Sequence, residues 1–360
     1  RRAGVGVLHL PGRSRRMTAV SRAAGAVGTA HATVWQAFLD DAPVALAAAR
    51  GLLGVAGADG RCHVYDAERG ESVATFTVEG GLLDATFSPG GSHLALVGPA
   101  GHAVWHARDG RLEVAETGEW SARARWFGDD RLAVATGRRV TVRSAGGVGL
   151  WSTGPAPSTV TDLQWFRQGR EIAVAAYNGV YRYGRHQSAP VGYFPYAGSH
   201  LCVAVSSNAR WICTGNQDRS VHIWRTRDGN ELEMAGFPDK VTRIAFDDGD
   251  RWFATNGAPE ATVWDFAGKG PSGRSPRLLP GHRSVTALAW RPGGAGVLAT
   301  TGSEGDLAVW RVESGSPGRP TNPLHTVDLD GPGAALRWLD ARHVAAADRT
   351  GSVRVVAFDV

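Results

Sequence analysis

The chain has 360 residues, of which 43% are hydrophobic and 20% are charged, a composition typical of a folded globular protein and not of a disordered one. No apolar run approaches the roughly 18 residues of a transmembrane helix, so we expect no membrane partner. The net charge of +5 comes from five arginines within residues 1–16, which contain no acid. The remaining chain is close to neutral, which argues against nucleic acid as a partner.

The N-terminal segment differs in composition from the rest of the chain. We interpret residues 1–16 as a non-native or disordered basic extension, because Met17 opens a plausible start. Residues 17–29 are predicted to be a flexible N-terminus, and residues 30–360 a single domain. The apolar part of the extension is broken by His9 and is too short for a secretory signal, and three cysteines do not make a disulfide framework. We therefore expect a cytoplasmic protein.

A first strand is predicted at residues 30–38, and eight repeated units follow at intervals of 38 to 46 residues. Each unit has an apolar strand, a polar turn, a second strand, a second turn, and a strand that ends in an anchor residue. The anchors are Tyr65, Trp105, Arg143, Tyr183, Trp224, Trp264, Trp310 and Val356. Three or four short strands per unit, separated by turns rich in Gly, Pro and Asp, predict the blades of a β-propeller.

The units resemble the WD40 repeats of bacterial proteins over residues 43–360, most clearly in the seventh unit, where His282 precedes the first strand and Trp310 ends the third. The resemblance implies an all-β ring of four-stranded blades and says little about function. In this family a His, a Ser or Thr, an Asp and the Trp form a structural hydrogen-bond network. The corresponding positions are His282, Thr300 or Thr301, Glu304 in place of Asp, and Trp310, with Asp218 and Trp224 in the fifth unit.

The last unit supplies three strands before the chain ends, and the predicted strand at residues 30–38 suits the position of its missing fourth strand. Pairing there would close the ring and remove the edge that an open strand offers to other chains. We therefore predict eight blades closed by an N-terminal strand, with seven blades as the alternative, and a monomer.

Motifs that predict catalysis are missing from the sequence, which has no zinc-protease His pair, no Walker loop and no Gly-x-Ser-x-Gly elbow. We expect no enzyme activity, no cofactor and no metal. The weak candidates for a metal site are Cys202 and Cys213, which would lie opposite each other if the chain turns at residues 206–209; two small buried side chains are the alternative. Two His four residues apart on one strand are too far apart to share a metal, so His102 and His106 are expected in solvated or turn positions.

In WD40 propellers the loops that join blades, and those between the second and third strands, line one rim where partners often bind. Here that rim would carry Tyr and Arg, types that are enriched at binding hot spots. The predicted contact residues are Asp59, Arg61, Tyr177, Asn178, Tyr193, Tyr196, Asn216, Gln217, Arg219, Asp239, Lys240, Arg283, Glu304 and Arg349. The resemblance favours a non-catalytic scaffold or adaptor that binds a protein or peptide partner of unknown identity through this rim.

The alternative is a metal- or ligand-handling accessory protein. Residues 214–218 and 268–271 are similar to stretches of stand-alone bacterial WD40 proteins. Some of those proteins are associated with metal-chaperone GTPases of the CobW type. One equivalent of zinc in the purified protein, lost when either Cys202 or Cys213 is replaced by Ser, would favour this alternative.

Overall fold

The computed structural model describes residues 5–10 and 31–359, which form strands and turns with one short 3₁₀ helix, Val312–Ser314. The strands of the first half are β1 (Gly6–His9), β2 (His31–Phe38), β3 (Pro43–Ala49), β4 (Leu52–Gly57), β5 (Arg61–Asp66), β6 (Ser72–Thr77), β7 (Asp84–Phe87), β8 (His93–Gly98), β9 (Gly101–His106), β10 (Leu112–Glu116), β11 (Ser121–Phe127), β12 (Arg131–Thr136), β13 (Arg139–Ser144), β14 (Gly149–Ser152) and β15 (Asp162–Phe166). Those of the second half are β16 (Glu171–Gly184), β17 (Pro190–Val205), β18 (Trp211–Asn216), β19 (Val221–Arg225), β20 (Asn230–Ala235), β21 (Ile244–Phe246), β22 (Trp252–Thr255), β23 (Ala261–Asp265), β24 (Arg277–Leu279), β25 (Val285–Trp290), β26 (Val297–Gly302), β27 (Asp306–Arg311), β28 (His325–Asp328), β29 (Gly333–Trp338), β30 (His343–Asp348) and β31 (Ser352–Phe358). In these two ranges no helix is long and apolar enough to cross a bilayer.

Six sheets have four antiparallel strands each, and in five of them the strands are consecutive in the sequence. These five are β3–β6, β7–β10, β11–β14, β21–β24 and β25–β28. Tight turns connect the consecutive strands of each sheet into hairpins. Gly60, between β4 and β5, has a φ of +96°, and a Cβ atom there would lie 2.2 Å from the carbonyl oxygen of Val78. Only glycine therefore fits this turn.

The seventh sheet contains seven strands, β15 to β20 with β1 at its edge, and it comprises two blades. The residues just before and just after β16 are hydrogen-bonded to each other, since the Arg185 amide donates to the Arg170 carbonyl oxygen at 3.0 Å. This bond is expected when residues 171–176 and 179–184 run antiparallel on either side of a turn. The first half of β17 pairs with β16 and the second half with β18. The sheets therefore supply eight four-stranded blades, which we number in chain order from β3–β6, and the predicted all-β propeller is confirmed.

The eighth blade is completed by the N-terminal strand, as predicted. Its strands β29, β30 and β31 are joined by β2, which pairs antiparallel with β31. Trp35 fixes this strand to the first blade, since its indole N–H donates to Ala67 O at 3.0 Å and its ring lies 5.4 Å from that of Tyr65. The Gln36 amide donates to Asp330 at 2.7 Å on the other side. These bonds close the ring.

The segment interpreted as a disordered extension contains an ordered piece. β1 pairs in parallel with the outer edge of β20, Gly6 opposite Leu232 and Leu8 opposite Met234. Leu8 is buried there against the apolar cluster between the fifth and sixth blades, which accounts for the order of these residues. The flexible segment predicted at residues 17–29 lies outside the described residues.

Neighbouring blades are joined by apolar clusters and by tryptophan side chains at the ends of inner strands. In four blades the indole N–H donates to a backbone carbonyl of the preceding blade. These inter-blade tryptophans are Trp126 to Thr86 O (3.1 Å), Trp165 to Arg125 O (2.9 Å), Trp290 to Ala245 O (3.0 Å) and Trp338 to Ala289 O (3.0 Å). Each such bond contributes about 1 kcal/mol and fixes the register of one blade against the next.

Candidate interaction surface

Two kinds of loop emerge at one end of the blades. Each connection from the preceding blade enters there, and since the strands alternate in direction, the turn between the second and third strands returns to the same end. Backbone hydrogen bonds join the two kinds of loop: the Asp239 amide donates to Gly257 O (3.0 Å), and the Val241 amide donates to Asn216 O (3.2 Å). These loops form what we call the connection rim.

The structure places most of the predicted contact residues, exposed, on the connection rim or beside it. The exposed ones are Asp59, Arg61, Tyr177, Asn178, Tyr193, Gln217, Arg219, Asp239, Lys240, Arg283, Glu304 and Arg349. Asn216 is a correction, because it is 1% exposed and its amide nitrogen donates to Thr214 O and Ser220 O within its own turn. Its role is to hold the turn, and it is not available to a partner.

The aromatic part of the rim is a cluster that we call the tyrosine patch: Tyr177, Tyr181, Tyr193 and Tyr196. The rings of Tyr181 and Tyr193 stack with centroids 4.7 Å apart. The Tyr193 hydroxyl donates to Asn178 O, and the Tyr181 hydroxyl donates to Tyr177 O at 3.3 Å. Tyr177 is 50% exposed and Tyr193 44% exposed. Stacking and hydrogen bonds therefore hold the side chains of Tyr181 and Tyr193 in place beside the exposed Tyr177.

Tyr196 lies at the deeper edge of the patch and is half-buried. Its ring stacks on His222 with centroids 3.4 Å apart, and its hydroxyl donates to the Asp218 carboxylate. Burial, followed by the bond to Asp218, raises the pKa of Tyr196 to about 12. Burial alone would raise the pKa of Asp218, but hydrogen bonds from Ser220 and Tyr196 outweigh it and hold that pKa below its usual value. Asp218 therefore stabilises the tyrosine patch and does not take part in a histidine network.

Cationic side chains flank the tyrosine patch. Arg219 lies in the turn between β18 and β19, and Lys240 lies in the connection between β20 and β21. No carboxylate of residues 31–359 comes within ion-pair distance of either side chain, although exposed arginines elsewhere, such as Arg61, Arg251 and Arg342, are paired. Asp239, the neighbouring carboxylate, accepts the backbone amide of Lys240 at 2.7 Å. The rim beside the patch therefore carries cations that are open to an acidic partner.

The acidic residue in the hydrogen-bond network of the seventh blade differs from the one predicted from the sequence. The Trp310 indole N–H donates to the Thr300 hydroxyl at 2.8 Å, and that hydroxyl lies 2.7 Å from His282 Nε2. His282 Nδ1 lies 2.9 Å from Asp306 Oδ1, whereas Glu304 Oε1 is 3.7 Å away and accepts the Arg283 amide instead. Asp306 replaces Glu304 as the network acid, and of the two threonines Thr300 is the one that takes part.

His282, Glu304 and Asp306 bring ligand-type atoms within 4.8 Å of one another. Both ring nitrogens of His282 are already engaged by Thr300 and Asp306. The hydrogen-bond network therefore accounts for the cluster without a metal.

The fifth blade has only part of this network. His200 Nδ1 lies 2.9 Å from the Thr214 hydroxyl, and His200 Nε2 donates toward Tyr196 O at 3.1 Å. The Trp224 indole N–H is buried and has no partner in the described part of the chain. Asp218, predicted to serve this network, bonds to Tyr196 and Ser220 instead. The predicted Asp218–Trp224 network is therefore corrected.

The two cysteines do not face each other. Cys202 pairs with Gly215, and Cys213 pairs with Ala204, because the hairpin turn lies one residue further along the chain than the sequence predicted. The Ser206 amide donates to Trp211 O at 3.0 Å, so four residues form the loop and the register moves by two. Both thiols are free, and burial raises the pKa of Cys202 to about 12. Buried protonated thiols in different positions are poor metal ligands.

The histidines of the second blade are not in solvated or turn positions, which corrects the expectation for them. They belong to a polar cluster organised by Arg143, the anchor of the third blade, which is 9% exposed. Arg143 donates to Glu113 and to His102 Nε2. Burial, followed by the charge of Arg143, lowers the pKa of His102 to about 4. An arginine at a position that is aromatic in most other units was the sequence signal for this cluster.

Comparisons with known proteins bear on the class to which this ring belongs. Residues 195–225 and 273–311 match the WD domain, G-beta repeat family. These segments contain the fifth and seventh anchors, Trp224 and Trp310. With the ring of four-stranded sheets, the matches support a WD40-repeat protein with the fold of a WD40-like β-propeller.

Individual relatives are distant and longer than this chain. Actin-interacting protein 1 of Caenorhabditis elegans is 21% identical over 195 residues, covering 51% of this chain and 30% of the relative. Protein FIZZY-RELATED 3 of Arabidopsis thaliana is 24% identical, covering 59% and 44%. Nuclear distribution protein PAC1 of Arthroderma benhamiae is 25% identical, covering 50% and 37%. The chain spans less than half the length of each of these relatives.

Among solved structures, the computationally designed Ika8 protein matches with a TM-score of 0.74 and 19% identity. The match covers 89% of this chain and 98% of the designed one. At this identity the likeness shows the fold alone.

Proposed function

We propose that this chain is a non-catalytic interaction scaffold that binds a protein or peptide partner through the connection rim. The tyrosine patch carries the proposal, because Tyr177 and Tyr193 are about half exposed while the rings and hydroxyls around them are held in place. Aromatic side chains that are already ordered lose little entropy on binding and are frequent at hot spots. One relative's name, Actin-interacting protein 1, describes binding to a protein and agrees with this role.

The charges beside the tyrosine patch indicate which chemical groups a partner would present to it. Among residues 31–359 no carboxylate pairs with Arg219 or Lys240, while the nearby Asp218 and Asp239 accept hydrogen bonds from the rim itself. A partner segment with an acidic side chain next to an aromatic or apolar one would complement both features.

The proposal includes a cytoplasmic, monomeric bacterial protein. The three cysteines are free and buried, in keeping with a reducing compartment. β2 covers the edge of β31, so the ring does not need a second copy to complete its last blade. Light scattering after size-exclusion chromatography should give the mass of one chain.

The test is affinity capture from the native cell extract with three forms of the protein. The first is unaltered, the second carries Tyr177→Ala and Tyr193→Ala, and the third carries Val148→Ala and Leu150→Ala as a matched control. Val148 and Leu150 are 65% and 40% exposed and lie at a turn between third and fourth strands, at the opposite rim. All three forms are first shown to have the same circular dichroism spectrum.

We expect a specific partner that the unaltered and control proteins retain and the tyrosine variant loses. With the purified partner, loss of two hot-spot side chains should weaken binding by about 30-fold or more. Equal retention by all three forms, or no specific partner, would contradict the proposal.

A further inference from the structure

The central channel carries charges that the scaffold role does not use. It is lined by the inner strands of the eight blades, and two inward-facing positions recur in each strand. We call these positions the entry ring, nearer the connection rim, and the deep ring, two residues further along. The charged members are Asp84, Arg123, Asp162 and Arg243 in the entry ring, and Arg125 and Arg337 in the deep ring. The other four entry-ring positions hold Cys202 and three alanines.

Both channel carboxylates are already paired. The Arg125 guanidinium lies 2.9 Å from Asp84 Oδ2 and 3.3 Å from Asp162 Oδ1, so it bridges them. Arg123 Nε is a looser neighbour, 3.9 Å from Asp84 and 3.8 Å from Asp162. Asp162, which is 4% exposed, also accepts the amides of its neighbours in the chain and in the next blade. Two arginines therefore share two carboxylates.

Two further arginines have no such partner. In residues 31–359, no carboxylate lies within ion-pair distance of Arg243 or Arg337. The Arg243 guanidinium donates to the adjacent Thr242 O, at 3.2 Å. The enclosure of the Arg337 guanidinium by the surrounding blades, followed by the charge of Arg125, lowers its pKa, and the charges of Asp248 and Asp84 act in the opposite direction. The six charged residues of the two rings are four arginines and two aspartates, an excess of two positive charges.

A cavity of about 240 Å³ lies among the entry-ring residues, and its walls include Leu46, Ile244, Leu288 and Leu336. Apolar side chains beside the charged groups lower the local dielectric constant and so strengthen electrostatic interactions there. The neighbours of Cys202 in the entry ring are Asp162 and Arg243, and Arg123 lies beyond Asp162. Burial and the charge of Asp162 raise the pKa of the Cys202 thiol, and the charges of Arg243 and Arg123 act in the opposite direction. At roughly 30 Å³ per water molecule the cavity has room for a group of several heavy atoms.

We propose that the channel binds an oxyanion, a carboxylate or phosphate group, between Arg123 and Arg243, with Arg337 adding its charge from the deep ring. Guanidinium groups pair with such oxyanions through two parallel hydrogen bonds. The anion supplies the missing counter-charge of the channel. It comes either from a free small molecule or from the carboxylate end of a peptide bound at the connection rim. The second source rests on the proposed scaffold function, and the first does not.

Isothermal titration calorimetry tests the site, at constant ionic strength set with chloride. The probes are inorganic phosphate, succinate, and one acidic peptide prepared with a free and with an amidated C-terminus. The variant is Arg243→Gln with Arg337→Gln, which breaks no ion pair. The control is Arg311→Gln, an exposed residue at the end of β27, outside the channel. It removes one positive charge from the protein surface.

We expect one saturable site for at least one probe, weakened about tenfold or more in the double variant and less than about twofold in the control. Binding of phosphate or succinate identifies a free anion, and binding of the free but not the amidated peptide identifies a partner's carboxylate. Without an added oxyanion, the double variant should melt at the same or a higher temperature than the unaltered protein, because two repelling charges are gone.

The proposal is overturned if no probe binds saturably up to about 10 mM, a dissociation constant that corresponds to less than 3 kcal/mol. It is equally overturned if the double variant binds as well as the unaltered protein, or if Arg311→Gln weakens binding as much. None of these results affects the tyrosine-patch test, so failure of the channel site and failure of the scaffold role can be told apart.

Discussion

Replacing Thr300 with Val would isolate the hydrogen-bond network of the seventh blade. Val has nearly the shape of Thr but no hydroxyl, and Thr300 is fully buried. The change leaves the Trp310 indole N–H and His282 Nε2 without their partner, at present 2.8 and 2.7 Å away. Each buried polar group without a partner costs about 1–3 kcal/mol. We therefore expect the free energy of unfolding to fall by about 2–5 kcal/mol, a large part of a typical total of about 5–15.

Thr301→Val is the matched control. Thr301 is also fully buried, and within the described part of the chain its hydroxyl has one partner, that of Thr286, at 3.0 Å. Thr286 keeps its bond to the Thr301 carbonyl oxygen, at 3.1 Å, so we expect a loss of about 1 kcal/mol. Urea unfolding followed by circular dichroism gives both values, and an unchanged dependence on urea shows that the same surface unfolds. Equal losses for the two variants, or a loss below about 1 kcal/mol for Thr300→Val, would refute the reasoning.

Three further predictions concern contacts that join neighbouring blades or complete the eighth blade. Trp165→Phe and Trp290→Phe each lose one indole hydrogen bond, so each should lower the free energy of unfolding by about 1 kcal/mol, and in urea unfolding their losses should add to within about 0.5 kcal/mol because the two blades are far apart. Removal of residues 1–38 uncovers the edge of β31 and should cause aggregation, seen by size-exclusion chromatography. His102→Gln should reduce the loss of stability between pH 6.5 and about 4, measured as urea midpoints at several pH values. The folded protein keeps His102 neutral down to a pKa of about 4, whereas the unfolded chain takes up the proton near 6.5.

Each of these has its own control or contrary outcome. A deletion of residues 1–16 removes β1 but keeps β2, and it should stay soluble because β20 already completes a four-stranded blade. A soluble and equally stable chain lacking residues 1–38 would contradict ring closure. A double tryptophan variant whose loss departs from additivity by more than about 1 kcal/mol would show that the two bonds are coupled. Parallel pH profiles for His102→Gln and the unaltered protein would show that another group causes the acid sensitivity.

The fold could be predicted because it is repeated. Eight units with similar spacing and turns of Gly and Asp left few alternatives to a propeller, and the apolar pattern of residues 30–38 identified the closing strand. The number of blades was harder to predict than the fold. The turn at Tyr177 and Asn178 is so tight that the two strands on either side of it form one continuous strand, β16.

The site could be predicted only in part. The positions of turns located most rim residues, but exposure depends on which turn side chains bond inward, as Asn216 does. Glu304 and Asp306 are both acids within reach of one histidine, and the choice between them depends on side-chain length and the path of the turn. The predicted register of the two cysteines was wrong because the four-residue loop lies one residue further along the chain, which shifts every pair by two. The cluster of charges in the channel could not be predicted, since its members come together only when distant units form a ring.

The closing strand also determines when the protein can finish folding during synthesis. β2 leaves the ribosome early, and β31, its partner in the eighth blade, leaves more than 300 residues later. At about 5–20 residues per second, β2 waits on the order of 15–65 s without its neighbour. During this time the first seven blades can form one after another from local hairpins, while the eighth cannot. Ring closure is therefore a late event, and until then the nascent chain exposes two open edges that a chaperone could cover.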